Sequence, residues 1–133
     1  MFYTRVADGF DAMCDTYDLN FMEALKMDQT LIYEASSSGE LDVLMAYATD
    51  SLLTKYDIVL LEDDKELFPP YNGSPMCRND VLEAHPELND VLGLLGGTID
   101  DSDMQQLNYK VDIEKRSVED VAREFLKENG YID

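Results

Sequence analysis

After Asp8-Gly9, the apolar residues Phe10, Met13, Cys14 and Tyr17 recur at the spacing of one helical face, which predicts a helix over about 8–16. A short apolar stretch at 21–25 reads as a strand. Asp28 is placed to cap a second helix that carries Leu31, Ile32 and Ala35 on one side, and Ser36-Ser37-Ser38-Gly39 ends it. Residues 41–47 form a nearly continuous apolar run broken only by Asp42. Its shortness and the turn before it favour a buried strand. Thr49 or Asp50 can cap a short helix through Leu52, Leu53 and Tyr56, and 58–61 reads as another buried strand. Strand and helix alternate through this half, so the pattern predicts an α/β architecture.

The second half changes texture. Glu62-Asp63-Asp64-Lys65 is a charged turn. Pro69-Pro70 cannot sit inside a helix or a central strand, and fixes an extended loop that presents Tyr71. Residues 74–78 read as a strand. Helical signals then follow one another: Asn79 as a cap for 80–84, Pro86 in the first turn of a helix with Leu88, Val91, Leu92 and Leu95, and Gly96-Gly97 as its stop. Asp100 starts a helix with Met104 and Leu107. Ser117 starts the last one, with Asp120 three residues on, a stripe of Val118, Val121, Ala122, Phe125 and Leu126, and Gly130 beyond its end.

Length and composition narrow the possibilities. The 133 residues suit one domain, and 45% apolar residues can supply a core. With 29 acidic and 10 basic residues the formal charge is −19. That field disfavours nucleic acid and anionic membrane surfaces, which need Lys/Arg patches, and it tolerates a cationic ligand. No apolar run approaches the ~20 residues of a membrane span. The start, Met-Phe-Tyr-Thr-Arg, does not read as a signal peptide.

Candidate chemistry is sparse. Cys14 and Cys77 read as reduced, partly buried thiols without metal-ligand spacing, and His85 is the one histidine. His85 sits in Ala-His-Pro at a helix junction, and no Gly-x-Ser-x-Gly elbow accompanies it. Gly96-Gly97 lacks the Gly-Lys-Ser/Thr of a phosphate loop, and Asp100-Asp101-Ser102-Asp103 lacks the oxygen spacing of a calcium loop. Neither a catalytic centre, a metal nor a cofactor is expected.

The aromatic residues say more. Tyr47 ends an expected strand, where ligands collect in open α/β sheets, and Tyr71 rides the Pro-Pro loop. Fixed aromatic faces are what a cation without hydrogen-bond donors requires. From the residues alone, core packing of Tyr47 and loop packing of Tyr71 is the competing reading.

Several segments in order resemble the substrate-binding proteins of osmoprotectant ABC transporters, the glycine betaine/carnitine/choline group. They are Leu60-Leu61-Glu62-Asp63-Asp64-Lys65, Phe68-Pro69-Pro70-Tyr71 and Pro75; upstream, Gly39-Glu40-Leu41-Asp42-Val43 and Ala46-Tyr47-Ala48-Thr49-Asp50; downstream, Ala84-His85-Pro86-Glu87-Leu88, Met104-Gln105-Gln106-Leu107-Asn108-Tyr109 and Val121-Ala122-Arg123-Glu124-Phe125-Leu126. At the start, Arg5-Val6-Ala7-Asp8-Gly9 is similar to the family's Arg-x-Asp-Gly with one extra residue.

The resemblance implies a partial type II periplasmic-binding-protein fold. Residues 1–60 would belong to the second lobe, and 61–133 would be the hinge return and C-terminal helical part of the first. It further implies a non-enzymatic role, binding glycine betaine, carnitine or choline for import by an ABC permease at the outer face of the plasma membrane, where the full-length protein is a lipoprotein or fused to the permease. Tyr47 and Tyr71 would be cage walls, Thr49 and Asp50 would order the site, and Arg5 would meet a ligand carboxylate. Where the family often has Gly-Arg after Thr-Asp, this chain has Ser51-Leu52. Complete members are longer, so surfaces left open are expected to support a homodimer or strand exchange. The alternative is a ligand-free interaction or regulatory fragment that keeps the fold.

Overall fold

The computed structural model describes residues 9–133. Two compact units divide the chain: Met1–Asp42 with Leu60–Ser74, and Val43–Val59 with Pro75–Asp133. Seven helices are formed among the described residues.

In the first unit, α1 spans Phe10–Tyr17 and α2 spans Gln29–Ser37. α1 stops where Asp18 turns left-handed (φ 53) and Leu19 N–H reaches back to the Cys14 carbonyl. An Asp accepts that conformation more readily than most non-glycine residues. α2 stops at Gly39 (φ 79), with Glu40 N–H donating to the Ala35 carbonyl. The rings of Phe10 and Phe21 pack at a centroid distance of 5.7 Å. Tyr33 and Ala35 are buried, whereas Leu31, expected on the inner face of α2, is largely exposed.

In the second unit, α3 (Ser51–Lys55) lies against α6 (Asp101–Asp112), and α6 packs on α7 (Val118–Glu128). Between α3 and α6 in sequence come α4 (Asn79–Ala84) and α5 (Glu87–Gly93), which contact each other. Leu53 of α3 and Val121 of α7 are buried. The starts of the last two helices follow local chemistry. Asp100 and Asp103 close a reciprocal capping box, and the Ser117 hydroxyl accepts the Asp120 N–H. Asn79, by contrast, is the first residue of α4 rather than its cap, and Arg78 holds the cap position with no side-chain hydrogen bond. On α7 the apolar stripe is only partly covered, because Val118 stays exposed beside the buried Val121. Cys14 and Cys77 are both free, the first half-buried and the second exposed rather than packed as expected.

The expected strands at 21–25, 41–47, 58–61 and 74–78 do not form: no strand is present among the described residues. A helix satisfies its own backbone, but a strand exists only with a neighbour to share its ladder. These four segments have the composition of strands and no partner within the described residues. Several of their side chains stand in solvent, Val59 at 81% exposure and Leu61 at 82%.

Candidate ligand-binding site

The turn after Tyr47 is held both by its own backbone and by side chains of α6. Asp50 N–H donates to the Tyr47 carbonyl at 3.0 Å, closing the turn. Asp50 then caps α3, its carboxylate accepting from Leu52 N–H at 3.0 Å. From α6, the Gln105 side-chain amide donates to the Ala48 carbonyl (3.1 Å) and that of Asn108 to the Thr49 carbonyl (2.9 Å). The buried Ser51 hydroxyl donates to the Asp112 carboxylate (2.9 Å). Gln105, Asn108 and Asp112 follow at intervals of three and four, so one face of α6 holds the whole turn. Tyr47 is 50% exposed. Rigid backbone under an accessible ring is the arrangement that a cation–π contact uses.

Tyr71 belongs to the first unit and is 67% exposed. Its approach is set by Asp63. The Tyr17 hydroxyl donates to the Asp63 carboxylate, which also accepts the N–H groups of Leu67 (3.0 Å) and Phe68 (2.8 Å). Lys65 N–H donates to the Tyr17 oxygen, and its ammonium lies 5.0 Å from the Tyr17 ring centre and donates to the Thr16 carbonyl. Hydrogen bonds, first from Tyr17 and then from Phe68, hold the Asp63 carboxyl below the usual carboxylate range. Partial loss of solvent, together with that carboxylate, pushes the Tyr17 phenol up.

Tyr47, Thr49 and Asp50 are thus brought together on one turn. Arg5 lies outside the described residues. An open groove on the first unit, lined by Met27, Asp28, Leu31, Glu34 and Ala35 among others, does not include Tyr71. His85 is exposed, 3.3 Å from Glu87. Among the described residues no group of three His, Cys, Asp or Glu could hold a metal ion, and no helix is long and apolar enough to cross a membrane.

In the sequence Gln105 and Asn108 stand out only as part of a segment that resembles the family, and Asp63 only as part of a charged turn. Nothing near Tyr17 in the sequence marks its partner. Their roles depend on contacts some fifty residues away, which no local pattern carries.

Residues 3–128 match the substrate binding domain of ABC-type glycine betaine transport systems. The carnitine transport binding protein OpuCC of Listeria monocytogenes is 38% identical over 97% of this chain and 42% of its own length. A glycine-betaine-binding protein of Pseudomonas aeruginosa is 35% identical over 95% of this chain and 41% of its own length. The chain therefore spans less than half the length of these relatives. Among solved structures, a glycine betaine/carnitine/choline ABC transporter chain matches with a TM-score of 0.84 at 39% identity, over 95% of this chain and 46% of that one. Apo YehZ from Escherichia coli gives 0.79 at 25% identity, over 95% of this chain and 47% of its own. The backbone thus follows part of a periplasmic-binding-protein-like fold even though no strand is present among the described residues. By their names these relatives are substrate-binding components of transport systems. The chain belongs to the family of substrate-binding domains of ABC-type glycine betaine transport systems.

Proposed function

We propose that this chain contributes an aromatic-cage half-site for a quaternary-ammonium osmoprotectant (glycine betaine, carnitine or choline) imported by an ABC permease at the outer face of the membrane. The observation that carries the reading is the accessible Tyr47 ring on a turn fixed by Gln105, Asn108 and the Asp50 cap. A methylated cation offers no hydrogen-bond donor, so it is recognised by ring faces whose positions are fixed beforehand. Tyr47 and Tyr71 are the rings assigned to it. Thr49 and Asp50 act through backbone and cap, ordering Tyr47 rather than touching the cation. Arg5 is assigned to the carboxylate that glycine betaine and carnitine carry and choline lacks. The relatives named for carnitine and for glycine betaine support this ligand class.

Calorimetry with the three amines tests the proposal, on the chain itself and on a full-length version completed with the unmatched residues of the Listeria relative. Binding by the completed protein is expected, and Tyr71→Ala is expected to cost about 1 kcal/mol or more, roughly fivefold in affinity. Unchanged affinity in Tyr71→Ala removes that ring from the cage. No heat with any amine in the completed protein overturns the reading and favours a fragment that kept the fold without the ligand.

A further inference from the structure

Within the first unit, Asp63 gathers donors from both its own loop and α1. Its backbone carbonyl accepts Glu66 N–H at 3.1 Å, and Glu66 takes a left-handed conformation (φ 52). The next two N–H groups return to the Asp63 side chain, Leu67 to Oδ1 at 3.0 Å and Phe68 to Oδ2 at 2.8 Å. A glutamate in that backbone region is disfavoured, so the loop depends on the contacts that hold it. The Tyr17 hydroxyl donates to the same Oδ1 from α1. Lys65 grips that helix end too, with its N–H on the Tyr17 oxygen at 3.1 Å and its ammonium on the Thr16 carbonyl. One carboxylate therefore sets the Phe68 peptide against α1.

Phe68 is followed by Pro69, Pro70 and then Tyr71. The rings fix φ at both prolines, and each proline confines the residue before it to extended backbone. Little slack is left between the anchored Phe68 N–H and Tyr71, so the short segment acts as a strut. We infer that Asp63 is a positioning residue for Tyr71: with Tyr17 it anchors Phe68 against α1, and the Pro69-Pro70 strut carries that placement to the ring. Asp63 acts through Tyr71 and does not touch the ligand. Its effect on binding rests on the cage assignment of Tyr71 made above, whereas its effect on the placement of Tyr71 needs no ligand. A ring fixed beforehand spares the complex the cost of ordering it, so a loosened strut lowers affinity without removing any contact.

NMR relaxation of the Tyr71 amide in the 133-residue chain tests the placement. An order parameter near the rigid value of about 0.85 is expected, falling below about 0.6 in Asp63→Ala. Asp63→Asn keeps the size of the side chain and strands one of the two backbone N–H groups whichever way its amide turns. It should give a smaller fall in the same direction. Pro69→Ala with Pro70→Ala should loosen Tyr71 by itself and abolish the further effect of Asp63→Ala, because the strut is then gone. Asp64→Ala, at the exposed neighbour, is the control and should change nothing. Calorimetry of the completed protein with glycine betaine tests the consequence. Asp63→Ala should cost up to about fivefold, the loss expected of Tyr71→Ala, and nothing further in the Tyr71→Ala background. A role in holding the fold alone would lower affinity equally in both backgrounds. Unchanged order at Tyr71 in both Asp63 variants overturns the inference, and so does an equal loss of affinity with and without the ring. Lost order with unaltered affinity upholds the placement and removes Tyr71 from the cage. If the unaltered completed protein binds no amine, the cage reading alone fails and the relaxation result still decides the placement.

Discussion

The Tyr17 hydroxyl of α1 donates to the carboxylate of Asp63, forty-six residues away, while that carboxylate also receives the backbone N–H groups of Leu67 and Phe68. One acidic side chain therefore ties a helix to the turn that leads into Pro69-Pro70-Tyr71. Carboxylates that accept several N–H and O–H donors are stabilised in the charged form, and the donors are fixed in return. Replacing Asp63 with Ala should release the turn. Amide exchange at Leu67 and Phe68 should speed up several-fold, and the Tyr17 phenol should titrate nearer its ordinary value. Tyr17→Phe removes one donor and should give the same exchange effect more weakly. Unaltered exchange in both variants would mean the turn is held by something else.

Both partners of that contact make the turn pH-dependent, with opposite signs. The Asp63 carboxyl is lowered, so its contribution is present above the ordinary carboxylate range and fades as pH falls through its folded value. The Tyr17 phenol is raised, so its contribution is present below the ordinary phenol value and fades as pH rises through the folded one. Exchange protection at Leu67 and Phe68 should therefore form a plateau that falls away on both the acid and the alkaline side. Asp63→Ala should abolish the acid limb.

A second acid-sensitive contact joins α6 to α7. Glu124 accepts from Arg116 and, at 2.7 Å, from Lys110. The Arg116 hydrogen bond, then that of Lys110, lowers its carboxyl from 4.5 to about 2. Between those values the unfolded chain binds a proton that the folded one does not, so stability rises with pH across that window. The melting temperature should fall as pH drops from 4.5 toward 2, over and above the general acid response. In Glu124→Gln the fall should be shallower. Equal slopes in the two proteins would show that this cluster contributes nothing to acid sensitivity.

The core is thin, so individual apolar contacts should matter. Leu53, at 2% exposure, lies on α3, which packs against α6 and begins directly after the turn that carries Tyr47. Leu53→Ala should cost about 3 kcal/mol in urea unfolding, the middle of the range for a buried leucine. Because domain stabilities are themselves only ~5–15 kcal/mol, that loss should visibly shift the midpoint. The exposed Leu94→Ala should change it by less than about 0.5 kcal/mol.

Helices were legible where their signals are local. Asp100 with Asp103, and Ser117 with Asp120, announce the starts of α6 and α7 within three residues, and Gly39 and Gly130 mark ends by their positive φ. Strands were not, because pairing is a property of two segments: 41–47 and 58–61 have the right composition, and the fold neighbours span twice the length that could supply partners. Asn79 shows the limit of cap reading, since Arg78 precedes the first turn just as well when no side chain bonds to it. Asp50 as the cap of α3 was readable from local spacing. The bracing by Gln105 and Asn108 was not, since their carbonyl partners lie on another element.

The ring and the hydroxyl of Tyr47 make separable predictions. A quaternary amine is attracted by the quadrupole of the ring face, and its methyl groups cannot donate a conventional hydrogen bond to the phenol oxygen. Phe keeps the face and removes only the hydroxyl. In the completed protein, Tyr47→Phe should bind glycine betaine within about twofold of the parent, whereas Tyr47→Ala should lose roughly fivefold or more. Asn108→Ala should fall between them: it leaves the ring in place but frees the Thr49 carbonyl, loosening the turn at a cost of about 1 kcal/mol in stability. If Tyr47→Phe is as damaging as Tyr47→Ala, the phenol oxygen and not the ring face makes the contact. The cage would then have to be rebuilt around Tyr71 and the residues outside this chain.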